Sequence, residues 1–163
     1  MSIAALITQS QLEMSMGGPD QLRMFTDDDG DGIADPEPVN WIIEAATHDA
    51  AGILRAGWNA EQVVALVNAD PAVRNHVLAI AKGFAGERRP QLTDPNGKML
   101  FAALRDTARG FLQALAATQL RSIEEGLSVA ANSKTNPKTN VTRPVEFTFA
   151  GSPTGGREPP GGM

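Results

Sequence analysis

With 163 residues, 42 % of them hydrophobic, the chain can bury one real core, but only 5 % are aromatic and tyrosine is absent. The core must therefore be built from Ala, Leu, Val and Ile, which favours closely packed helices over sheets. A formal charge of −5 and the lack of cysteine exclude the basic stripe of a nucleic-acid binder, a disulfide framework and a Cys-ligated zinc site.

The first residues, Met1 to Ile7, lack the basic start and apolar length of a secretion signal, and no stretch approaches the ~18 apolar residues of a membrane span. The expectation is a protein made and used in a cytoplasm, or in a particle assembled there. Thr8 or Ser10 can cap a short helix carrying Leu12, Met14 and Met16, stopped by Gly17 and Gly18. Pro19 opens a second short helix through Leu22, Met24 and Phe25. Neither piece is long enough to stand alone. The methionines read as core filler first and as an adaptable contact face second.

Next comes the most distinctive stretch, Asp27-Asp28-Asp29-Gly30-Asp31-Gly32-Ile33-Ala34-Asp35. Carboxylates at Asp27, Asp29, Asp31 and Asp35, with the carbonyl of Ile33, have the alternation that suits a hard cation such as calcium, and Gly32 permits the bend. The spacing fits the first half of an EF-hand loop. At its twelfth position, however, stands Pro38, with Glu37 one place early. It looks more like the shorter aspartate-rich loops of thrombospondin-type repeats. A solvated turn whose acids cap the following helix is the alternative. Most of the chain's excess acid lies in this loop, so the acidity is local.

Residues 38–55 then carry Val39, Ile42, Ile43, Ala46, Ala50, Ile53 and Leu54 on one helical face. Asn59 caps a short helix with Val63, Val64, Leu66 and Val67, and Asp70-Pro71 caps another with Val73, Val77, Ile80, Ala81 and Phe84. Asp94-Pro95 repeats that device before the longest helix, whose expected core face is Leu100, Ala103, Leu104, Ala108, Phe111 and Leu115. Whether residues 118–129 continue it or form a hairpin is left open by pattern alone. The expectation is an all-α fold: a small bundle of about five to six helices over residues 1–131.

From Asn132 the composition changes to proline and glycine with few apolar groups. Residues 132–163 read as an extended C-terminal arm with one short strand, Val145, Phe147 and Phe149 lying on one face. Such a strand suits addition to a partner's sheet edge; an inert tail is the alternative.

No catalytic constellation stands out. His48 and His76 lie on separate helices without a metal-ligand partner at i+4, and no phosphate-binding or nucleophile motif occurs. Trp41 and Trp58 read as packing anchors. Arg88 and Arg89 form a solvated corner, or pair a phosphate or a partner's carboxylate. A non-enzymatic protein is expected.

The helical pair, the run from Thr26 to Asp35 and the helix after it resemble the Mu gp36-like family of tailed-phage proteins, whose motif runs LTDxDGDGxAD. The likeness covers roughly residues 7–117 and rests on the acidic motif. It implies a head–tail connector (adaptor) of the virion neck: a homo-oligomeric ring, of about twelve copies, between the portal and a stopper or tail-completion protein. DNA would pass through without specific binding. A calcium-dependent interaction module, with the acidic loop as its switch, is the alternative function. A metal-dependent nuclease or phosphotransferase using the same aspartates ranks third.

Overall fold

The computed structural model describes residues 3–135, with side chains described through Glu125. Six helices follow in order: α1 (Gln9–Met16), α2 (Pro19–Thr26), α3 (Pro36–Leu54), α4 (Ala60–Ala69), α5 (Pro71–Arg88) and α6 (Ala102–Thr135). The expected all-α bundle is present. The strand at Val145, Phe147 and Phe149 lies outside the described residues, as does most of the arm.

The caps form where local chemistry calls for them. Thr8 and Asn59 each make a reciprocal capping box, with Gln11 and Gln62 respectively. Asp70 accepts from the Ala72 amide, with Pro71 at the first helical position. α1 ends on Gly17 in the left-handed conformation, φ 102°, which glycine adopts without steric cost. At the end of α4, Arg74 reaches back from α5 to the Val67 and Asn68 carbonyls, satisfying groups the helix leaves unpaired.

α5 is the centre of the bundle. It packs against α3 and α6 along its length and touches α1, α2 and α4 as well. Its buried face, Val73, Val77, Ile80 and Ala81, meets Val39, Ile42, Ala46, Ala50 and Leu54 of α3 in one continuous core. At roughly 1.5–3 kcal/mol for each fully buried large aliphatic side chain, this core is what holds the short α1 and α2 in place through Leu12, Leu22 and Phe25. The N-terminal segment is tied in too, since the Leu6 amide donates to the buried Thr47 hydroxyl at 3.1 Å.

Several expectations are corrected. α3 begins at Pro36, two residues earlier than expected, because both Pro36 and Pro38 fit the first turn. Asp94 does not cap a helix. Its Oδ1 accepts from the Asn96 and Lys98 amides and closes a tight turn, and those hydrogen bonds, that from Lys98 foremost, hold its pKa below the usual value. The turn pairs Thr93 with Met99 as a single antiparallel bridge. Residues 118–135 continue α6, which answers the open alternative in favour of helix and carries past the composition change at Asn132.

The buried stripe of α6 is Ala108, Leu112 and Ala116; Leu104 and Phe111, expected inside, are 49 % and 39 % exposed. Met14 and Met24 also face outward, at 74 % and 52 % exposure, so only Met16 of that group packs on the core. Trp41 lies at the surface, edge-on to Phe84 with centroids 5.9 Å apart, whereas Trp58 packs against the core.

The rotation of α6 follows from two glycines on α5. A Cβ built on Gly83 would come within 2.6 Å of the Arg105 Cβ, and one on Gly86 would overlap the Leu100 carbonyl oxygen. Gly86→Ala is therefore expected to cost about 1–3 kcal/mol by overpacking, more than the up to about 1 kcal/mol ordinarily gained by replacing a helical glycine. Gly52, on the open side of α3, has nothing within 4 Å of such a Cβ. Gly52→Ala should raise Tm while Gly86→Ala lowers it by several degrees; the same sign in both would refute the close approach.

Candidate functional site

Between α2 and α3 the chain must turn within nine residues that carry five aspartates. It does so by spending its own amides on its carboxylates. Asp27, at the end of α2, accepts from the Gly30 amide at 2.7 Å and the Gly32 amide at 3.0 Å. Asp29 accepts from Asp31, Asp31 from Ile33, and Asp35 from the Asp28 amide. Gly30 and Gly32 take φ of 78° and 87°, which lets the backbone curl around the Asp27 carboxylate. The Asp35 amide donates to the Thr26 carbonyl at 3.1 Å and closes the loop. Arg23 adds a hydrogen bond to the Gly32 carbonyl.

The outcome is a convergence of Asp27, Asp29 and Asp35, each offering a carboxylate oxygen within 4.8 Å of the others. Three like charges at that spacing repel by about 0.9 kcal/mol per pair even at the dielectric constant of bulk water. Asp31 stands outside the trio, its Oδ1 turned to the Ile33 amide, and Ile33 exposes its side chain. Of the expected ligand set, three residues come together. All-oxygen donors of this kind fit a hard divalent cation and no softer metal. Among the described residues no other His, Asp or Glu grouping converges as closely. His48 is exposed, and His76 is stacked on Phe111 at 3.9 Å.

Asp28 has a different task, which the sequence reading missed. It accepts from Arg88 Nη2 at 2.5 Å and Arg89 Nη2 at 2.9 Å, and Arg89 also donates to the Asp27 carbonyl at 2.6 Å. The two arginines end α5, 60 and 61 residues away in sequence, so they pair with this chain's own loop and do not form a solvated corner. Arg88 also lies 5.9 Å from the centroid of the Trp41 ring, a cation–π distance that joins α3 to the same clamp. Two further ion pairs brace α6: Glu87 with Arg105, and Asp49 with Arg109 Nε at 2.7 Å. The hydrogen bond that Arg109 donates to the Asp49 carboxylate raises the Arg109 pKa further above its ordinary value.

A second concave feature lies along the side of α2, from Gln21 to Phe25. It is an apolar groove of about 280 Å³ between Met16, Met24 and Phe25 on one wall and Leu92, Leu100 and Phe101 on the other. Phe101 takes φ 65°, a conformation bulky side chains rarely adopt, and its ring lies 5.8 Å from that of Phe25.

Comparison of the chain with known protein families, with curated proteins and with solved structures finds no match.

The division of labour among the aspartates is testable. Asp28→Asn should cost about 1 kcal/mol, the upper range of a partly exposed pair, and speed amide exchange at the end of α5 with no change in any response to calcium. Asp29→Asn should leave the metal-free melting curve nearly unchanged and remove the calcium response. Melting curves of both variants with calcium and with chelator decide it; interchangeable behaviour would refute the division.

Proposed function

We propose that this protein is a structural subunit of a tailed-phage particle, a head–tail connector that forms a ring in the virion neck between the portal and a stopper or tail-completion protein. One observation carries most of the weight. α6 holds four of the chain's exposed large apolar residues, Leu104, Phe111, Leu120 and Ile123. Partly exposed apolar groups spread along α6 suit side-by-side packing with neighbouring copies. The acidic motif supports the same reading through its likeness to the Mu gp36-like family. The absence of a nucleophile–base constellation among the described residues is compatible with a non-enzymatic role and does not argue for it. In this reading the acidic corner is a brace: it sets the angle at which α3 leaves α2, and so the outline that each subunit presents to the next.

The test is the mass of the full-length chain, by sedimentation or native mass spectrometry, alone and mixed with a candidate portal. A closed multimer, with about twelve copies expected, supports the ring. A monomer at every concentration, and in the presence of portal, overturns it.

The Asp27, Asp29 and Asp35 trio favours a second reading, a calcium-dependent interaction module in which the loop is a switch. Calcium at about a hundred times its Kd stabilises the folded chain by about 2.7 kcal/mol in either case. A brace raises Tm with helix content and assembly mass unchanged, whereas a switch alters one of these. Circular dichroism and mass measured with calcium and with chelator separate the two readings.

A further inference from the structure

We propose that the groove between α2 and residues 92–101 is the docking site for residues 145–149 of a second copy of this chain, added as a strand along the outer edge of residues 91–94. The proposal deepens the ring reading by naming a link between neighbours, and it depends on that reading only for the number of copies joined.

The edge is the first observation. Thr93 and Met99 form an antiparallel bridge flanked by hydrogen bonds from the Leu100 amide to the Leu92 carbonyl and from the Asp94 amide to the Lys98 carbonyl. In that pattern the amide and carbonyl of Thr93 point away from Met99, toward the open side. Among the described residues, the Thr93 amide donates to no protein acceptor, nor does that of Gln91. Thr93, the one bridged residue after the turn that the Leu92 amide closes on the Arg89 carbonyl, thus offers unpaired groups on one side to which a further strand can add.

The groove is the second. Main-chain pairing alone would be unselective, but here the edge borders an apolar trough large enough for several side chains, with Met24 on its rim 52 % exposed. A flexible thioether adapts to aromatic rings. In an added strand the alternation of Val145, Phe147 and Phe149 would offer three apolar groups to the trough and leave Glu146 and Thr148 to solvent.

Chain length decides whose segment it is. α6 starts beside the groove, one residue after Phe101, and runs 34 residues, about 51 Å at 1.5 Å per residue. From Thr135 to Val145 there are ten residues, which reach at most about 36 Å at full extension. Val145 therefore falls some 15 Å short of its own groove, and only Phe149 at full stretch attains it. The strand cannot lie along the edge of the chain it belongs to; a neighbouring copy has no such restriction.

The chain has no cysteine, so introduced pairs report cleanly. Full-length copies carrying Thr93→Cys are mixed with copies carrying Glu146→Cys or Thr148→Cys, which bracket the two neighbouring registers, and oxidised. A disulfide between copies is expected from at least one mixture, above the level given by Asn40→Cys in place of Thr93→Cys. Phe147→Asp/Phe149→Asp in the arm, or Met24→Lys on the groove rim, should abolish the cross-link and lower the assembly mass with helix content unchanged. Cross-linking no higher than the control overturns the proposal, as does a Thr93→Cys/Thr148→Cys chain that closes within a single copy. If the Asp variant assembles with unchanged mass, the link falls and the ring stands. If the unmodified chain is monomeric yet the mixed copies cross-link at Thr93, the ring falls and the link stands.

Discussion

The close approach of α6 to α5 at Gly83 and Gly86 is the contact on which the rest of the molecule depends. With no side chain at either position, the start of α6 lies directly against the α5 backbone, so Arg105 lands over Phe84 and beside Glu87. That placement fixes Leu100 and Phe101, and with them one wall of the apolar groove. It also leaves the end of α5 free on its other side, where Arg88 and Arg89 reach across to the acidic loop. A single packing choice thus positions both the groove beside Met24 and Phe25 and the arginine clamp on the loop that follows α2.

Within the acidic loop, two opposing effects set the geometry. Repulsion among the carboxylates would open the turn, while amide hydrogen bonds and the two arginines close it. A charge-assisted hydrogen bond contributes about 1.5–3 kcal/mol where it is sheltered, and the loop makes several at its margins. The loop's bonds are exposed, so each contributes toward the lower end of that range. The aspartates divide accordingly: Asp28 is paired with the arginines, whereas Asp27, Asp29 and Asp35 bring carboxylate oxygens within 4.8 Å of one another.

Much of the helical plan was legible because it is written in neighbouring residues. Thr8, Gly17, Asn59 and Asp70-Pro71 act through hydrogen bonds or steric limits a few positions away, and each works as read. What escaped the sequence depends on contacts between distant segments. The apolar face of α6 is wider than its buried stripe, so periodicity alone selected Leu104 and Phe111, and only the glycines of α5 turn Ala108, Leu112 and Ala116 inward. Asp94-Pro95 looks like Asp70-Pro71, yet its carboxylate is taken by Asn96 and Lys98 because Gly97, at φ 71°, lets the chain reverse. The alternation of the aspartates pointed to Asp27, Asp29, Asp31, the Ile33 carbonyl and Asp35 as one set, of which Asp27, Asp29 and Asp35 converge; Asp28, out of that alternation, had no local signal to mark its partners 60 residues on. The paired arginines were visible as a motif, but their target was not.

Past Ala116 the side chains of α6 described through Glu125 are nearly all exposed, and the helix backbone continues for about 28 Å beyond Ala116. Over such a length a tilt of about 10° near Ala116 moves the far end of the helix by some 5 Å. The Asp49–Arg109 pair and the contact of Gly57 with the Ala116 carbonyl lie near that point. Their leverage over where the tip, and everything beyond it, arrives exceeds anything their own modest energies would suggest.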